Sequence, residues 1–115
     1  MTEQFIARLI ICLIAIESGG QNISGDNGAA AGILQIHKIF VDDVNRILGK
    51  DKYTYDDRWN EAKSREMVTI WFRHYSKHWS QEKCIRWYNA GGNWQCEAAE
   101  RYYKKVQRLM KGVKK

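Results

Sequence analysis

Residues 1–20, MTEQFIARLIICLIAIESGG, carry a nearly unbroken apolar run that stops at a glutamate and gives way to Ser-Gly-Gly. Phe5, Ile6, Leu9, Ile10, Leu13 and Ile14 recur at the three- and four-residue spacing of one helix face. Ile11, Cys12 and Ile16 widen that face until little of the helix can meet water, which places it in the centre of a core. A targeting signal fits poorly, because Glu3 precedes the run, Arg8 interrupts it, and neither a cationic n-region nor a small-residue cleavage site stands before Glu17. The run is also shorter than the ~20 apolar residues that span a bilayer. The stretch therefore predicts a buried central helix ending at Glu17, with no membrane insertion.

Outward from this helix, the remaining segments read the same way. HKIFVDDVNRILGK puts Ile39, Phe40, Val44, Ile47 and Leu48 on one side before Gly49 ends the segment. Residues 58–79 place Trp59, Ala62, Met67, Ile70, Trp71, Tyr75 and Trp79 at spacings of a long buried-face helix. SQEKCIRWYNAGGNW predicts a short helix running into a glycine turn. CEAAERYYKKVQRLMKGVKK predicts an amphipathic helix with Ala99, Tyr102, Tyr103, Val106, Leu109 and Met110 inward and a frayed basic tail over KGVKK. No segment alternates with period two, proline is absent, and the expected fold is mostly α. At 115 residues the chain fits one domain, 1–115, of a size that buries roughly two-thirds of its unfolded surface. Three cysteines, Cys12, Cys84 and Cys96, lack metal-ligand spacing; Cys84 and Cys96 could pair, but reduced thiols are the default. A net charge of +6 and a pI near 9.3 favour an anionic partner, whether nucleic acid, acidic lipid or an acidic cell-wall polymer.

Glu17 lies three and four residues beyond Ile14 and Leu13, so its side chain projects on or beside the apolar face. Desolvating a carboxylate is costly, and protonation relieves the cost, which raises the pKa. A carboxyl that keeps its proton near neutrality is what general acid catalysis of glycosidic cleavage requires. The plainer alternative is a helix-end glutamate paired with an arginine. Past Glu17, Gly19, Gly20, Gly25, Gly28 and Gly32 give a segment of little side-chain volume, suited to a polymer lying against the main chain or, equally, to a mobile loop. Gln35 stands between Leu34 and Ile36, a polar group that can hydrogen-bond a sugar hydroxyl or amide.

Glu17-Ser18, then GDNGAAAGILQI from Gly25 to Ile36, then YNAG from Tyr88 to Gly91, resemble three motifs of the goose-type lysozyme and soluble lytic transglycosylase superfamily, in the same order. The likeness is densest over residues 15–37 and 85–95. It implies a lysozyme-like domain whose central helix ends at the catalytic glutamate, here Glu17. It implies a saccharide groove along Ser18, Gly32, Leu34 and Gln35. Tyr88 and Asn89, with Ala90 and Gly91, would face the glutamate across the cleft and orient it or the N-acetyl group. Asp26 matches an aspartate that helps to position water in the lysozymes. His37 stands where a second aspartate often occurs, a departure that weakens the hydrolase reading. Transglycosylases need no second carboxylate, because the C6 hydroxyl of the substrate attacks the anomeric carbon. Asp26 has its own plainer reading, an Asx-type turn residue.

The resemblance implies a muramidase cleaving the β-1,4 bond between N-acetylmuramic acid and N-acetylglucosamine, with hydrolysis slightly favoured over formation of 1,6-anhydromuramyl ends. No cofactor, no metal, no nucleic acid and a monomer are expected. His74 and His78 are four apart but lack an evident third ligand. Trp71, Tyr75 and Trp79 read as core, whereas Trp87 and Trp94, flanking YNAG, read as cleft wall. The rival class is a nucleic-acid-binding module, drawn from the charge and from the tyrosine-interleaved basic helix at 101–115; it leaves the Glu17, glycine and YNAG constellation unexplained. A third reading is an inactive saccharide-binding relative. With no export signal evident, a phage endolysin or virion-associated lysin made in the cytoplasm and acting on the bacterial wall is the expected setting.

Overall fold

The computed structural model of the protein describes residues 1–112; the rest of the expected basic tail, from residue 113, lies outside the described residues. Thr2 starts the first helix, α1 (Glu3–Glu17), by accepting the Phe5 N–H on its hydroxyl at 3.0 Å. Leu9 and Leu13 are fully enclosed, with Ile6, Ile10 and Cys12 nearly so, but Ile11, expected inward, is 50% exposed and shares an outer stripe with Ala7 and Ala15. Ser18 and Gly19 both donate their N–H groups to the Ile14 carbonyl at 3.0 Å, and Gly19 and Gly20 then take φ of 66° and 89°, turning the chain sharply away from the helix.

The glycine-rich segment after α1 folds as a small antiparallel flap. Its strands are β1 (Ser24–Gly25), β2 (Ala30–Ala31) and β3 (Ile36–His37), in the order β1-β2-β3, with a 3-10 turn at Asp26–Gly28. Ala30 pairs with Gly25 on one side and with His37 on the other. Strands of two residues are too short for an alternating pattern, which is why period two is invisible in the sequence.

Four more helices complete the body among the described residues: α2 (Lys38–Leu48), α3 (Glu61–Tyr75), α4 (Gln81–Ala90) and α5 (Glu97–Gly112). Gly49 ends α2 as expected, at φ 72°. Val41 and Val44 carry the buried face of α2, while Ile39, expected inward, is 77% exposed. The long helix expected over 58–79 is broken into a 3-10 turn (Tyr55–Trp59), α3 and a closing turn. The break comes from Asn60, whose side chain accepts the Lys63 N–H at 2.9 Å and so starts a new helix. Ser80 caps α4 in the same way, and α1 packs against both α3 and α5 as a central element. Among the described residues no helix is long and apolar enough to cross a membrane.

Arg58 ties the flap to this helical body. Its buried guanidinium donates to the carbonyls of Tyr55 (2.7 Å), Ile36 (3.1 Å) and Ala29 (3.2 Å), joining the 3-10 turn to the flap. Its own carbonyl accepts the Ser64 hydroxyl at 2.9 Å. Gly32 lies against that same carbonyl at φ 84°, and a Cβ there would stand 1.9 Å from the Arg58 oxygen. Gly32→Ala therefore meets both a left-handed backbone and a main-chain clash. It is expected to cost about 2 kcal/mol or more, read as a lowered denaturant midpoint with an unchanged slope.

Candidate active site

A groove of about 810 Å³ opens between the flap and the helices. Glu17 at the end of α1 and Asp26 in the flap turn line it, with Leu34, Gln35 and His37 from the flap. Phe40 and Asp43 of α2, Trp71 and Tyr75 of α3, and Trp87, Tyr88 and Asn89 of α4 supply the other side.

Glu17 is partly buried, and the Tyr102 hydroxyl of α5 donates to its Oε2 at 2.6 Å. Burial pushes the Glu17 carboxyl above its ordinary range; the Tyr102 hydrogen bond opposes this, the Asp26 charge adds to it, and His37 opposes it more weakly. The position of Glu17 in the last turn of α1, where main-chain carbonyls concentrate negative potential, works in the same direction as burial. Burial and the neighbouring Glu17 charge also raise the Tyr88 and Tyr102 hydroxyls well above their usual value, which keeps both as donors. A carboxyl raised in this way and lining an open groove keeps its proton to higher pH than a free glutamate, which is what a proton donor to a leaving oxygen needs.

Of the residues singled out in the sequence, Glu17, Asp26, Leu34, Gln35, Tyr88, Asn89 and Gly91 come together on the groove. Ser18, Gly32 and Ala90 are placed elsewhere. The Ser18 hydroxyl donates to the Ile33 carbonyl at 2.7 Å and accepts the Gly20 N–H at 3.1 Å, pinning the start of the loop to its end. Gly32 faces Arg58, and Ala90 is the last residue of α4. Gln35 adopts φ 49° and donates its amide to the Ile23 and Gly32 carbonyls at 2.8 and 2.9 Å, while its Oε1 fills the space where a Gly25 side chain would lie. Its amide nitrogen is thereby committed to shaping the loop, in place of the sugar contact expected of it. Asp26 is exposed, and its Oδ2 contacts His37 Nε2 at 2.9 Å.

Two contributors were not anticipated. Tyr102 read only as an inward face of the last helix; the available signal was a phenol whose hydroxyl, once buried, needs a partner. Asp43 accepts from Trp71 Nε1 at 3.1 Å and from Tyr75 Oη at 2.9 Å, and also pairs with Arg46. It fixes two aromatic walls of the groove at once. The Trp71, Tyr75, Trp79 series is core and wall together: Tyr75 stacks on Trp79 with centroids 4.5 Å apart, while Trp71 and Tyr75 also face the groove. Trp87 lines the groove, but Trp94 instead packs with Trp79 and Trp87 around the Lys83 ammonium, at 5.2, 4.6 and 6.0 Å to the ring centres.

His74 lies in the last turn of α3 and His78 in the turn beyond it, and no cluster of three or more His, Cys, Asp or Glu suited to a metal forms among the described residues. All three cysteines are free thiols, Cys12 and Cys84 buried and Cys96 exposed. On α5, Arg101 and Lys104 already pair with Glu97 and Glu100 at 2.8 and 3.5 Å.

The raised Glu17 carboxyl binds its proton more tightly in the folded chain than in the unfolded one. The stability this contributes is present at low pH and is lost as pH rises through the raised value. Glu17→Gln, which cannot ionise, is therefore expected to gain in Tm relative to wild type as pH rises above the ordinary glutamate value of about 4.3. Carbon-13 carboxyl shifts should show Glu17 titrating above free glutamate. In Tyr102→Phe, which removes the hydrogen bond favouring the ionised form, the titration moves higher still.

Compared with protein-family models, with curated proteins and with solved structures, the chain returned no match to any of them.

Proposed function

We propose that the protein is a peptidoglycan glycosidase of lysozyme-like fold. It cleaves the β-1,4 bond between N-acetylmuramic acid and N-acetylglucosamine, with Glu17 as the general acid. One observation carries the reading: a carboxyl held above its ordinary pKa by burial, at the end of the central helix, opens onto a groove of about 810 Å³ walled by aromatic side chains. The resemblance of ES, GDNGAAAGILQI and YNAG to the goose-type lysozyme and lytic transglycosylase motifs supports it, because Glu17, Asp26, Gln35, Tyr88 and Asn89 share that groove. The aromatic side of the groove suits the apolar faces of sugar rings, and the positive net charge suits an anionic wall. Action on the wall as an endolysin or virion-associated lysin remains the setting proposed for it.

In this reading Glu17 protonates the leaving glycosidic oxygen while the anomeric carbon gains positive charge. The Tyr102 hydroxyl then stabilises the carboxylate that forms. Water completes a hydrolysis; attack by the substrate's own C6 hydroxyl completes a transglycosylation. Hydrolysis is preferred because Asp26 and His37 furnish polar groups beside Glu17 that could handle a water. The nucleic-acid alternative leaves the groove around Glu17 without a role.

The test is clearing of permeabilised bacteria and of purified peptidoglycan. Glu17→Gln, with its helical circular dichroism retained, is expected to lose ~10²-fold or more in rate. Near-wild-type lysis by that folded variant would defeat the assignment.

A further inference from the structure

Besides Glu17, the groove holds a second pair of titratable side chains in direct contact. Asp26 Oδ2 and His37 Nε2 lie 2.9 Å apart, and both side chains line the groove. The flap register produces the pair: Ala30 stands between Gly25 and His37, so the turn leaving Gly25 delivers Asp26 to the His37 side chain. That delivery requires left-handed backbone at Asp26 (φ 50°) and at Asn27 (φ 55°), conformations that non-glycine residues adopt at a cost. The two side chains are 69% and 46% exposed, and an ion pair so open to water contributes little to stability. A turn with two left-handed residues presenting a weakly stabilising pair to the groove that Glu17 also lines points to chemistry.

A carboxylate on one imidazole nitrogen fixes the tautomer. With Nε2–H donating to Asp26, the lone pair lies on Nδ1, which has no protein hydrogen bond among the described residues. We propose that His37 is the general base that activates the hydrolytic water, with Asp26 as its positioning residue. The inference rests on the reading of Glu17 as the acid. His37 Nδ1 takes a proton from water as the water oxygen bonds to the anomeric carbon. The glycosidic C–O bond breaks with its electron pair going to the leaving oxygen, which takes the Glu17 proton. The step ends with an imidazolium at His37 and a carboxylate at Glu17, and the proton returns from one to the other through solvent. His37 thereby makes the enzyme a hydrolase; without it, the C6 hydroxyl of the bound muramyl residue competes for the same carbon.

The experiment digests purified peptidoglycan with wild type, Glu17→Gln, His37→Ala and Asp26→Asn and separates reducing-end from 1,6-anhydro products by mass spectrometry. Because His37 is exposed, His37→Ala is expected to keep its circular dichroism and Tm. It should lose ~10²-fold in reducing-end products, keep or gain anhydro products, and recover hydrolysis on addition of imidazole. Asp26→Asn should show the same change in product ratio to a smaller extent. Reducing-end products from His37→Ala within about twofold of wild type would overturn the proposal, as would loss of both product classes together or a wild type that forms anhydro ends alone. If Glu17→Gln forms neither product class while His37→Ala keeps wild-type reducing-end products, the base assignment alone fails; if Glu17→Gln is active, the acid assignment fails and takes this inference with it.

Discussion

The architecture depends on a helix that buries one broad apolar face, leaves the stripe of Gln4, Ala7, Ile11 and Ala15 to water, and ends on a carboxylic acid. Leu9 and Leu13 are sealed between α3 and α5, and continuing the same helix by one turn brings Glu17 out of the core at its edge. There the side chain is half-buried on the groove, and the partial desolvation that comes with packing α1 into the core makes its ionisation less favourable. Tyr102 moderates the effect from the opposite side of the same core.

A flap of six strand residues would not hold its shape alone. Three devices stabilise it. Arg58 gathers carbonyls from the flap and from the turn ahead of α3. Gln35 replaces missing strand contacts with side-chain hydrogen bonds to the loop's own main chain. Ser18 closes the loop across fifteen residues by bonding to Ile33. The glycines then have specific duties: Gly25 makes room for the Gln35 amide and Gly32 for the Arg58 carbonyl. This is why a segment composed like a mobile loop is a fixed groove wall.

Much of this was legible in the sequence where a strong periodic signal existed. The apolar run predicted α1 and its main buried face, though not the exposed stripe through Ile11, and Gly49 marked the end of α2. Glu17 was legible as a desolvated acid because its register relative to Leu13 and Ile14 is a local property. The break at Asn60 was not read, because a continuing aromatic spacing from Trp59 to Trp71 outweighed a single capping residue. Ile39 differs for a related reason: in a helix of eleven residues the apolar arc is decided by what the helix packs against, and with α2 against α3 it is Val41 and Val44 that are buried while Ile39 lines the groove. Gln35 and Gly32 looked like saccharide contacts until Arg58 and Gly25 were seen beside them, and such neighbours are distant in sequence. Tyr102 lies 85 residues from Glu17, a pairing that only the packing of α5 on α1 reveals.

The shared use of aromatic residues by core and groove gives the molecule a built-in optical sensor. Trp71 touches Tyr75, Trp79 and Tyr88 with ring centres 4.8 to 6.5 Å apart, and Trp87 extends the chain of rings from Trp79 at 4.9 Å. Excitation absorbed anywhere in that array reaches indoles whose outer faces border the trench. Any ligand that displaces water from those faces changes the environment of the indoles, so occupancy of the groove can be followed by intrinsic fluorescence without attaching a dye.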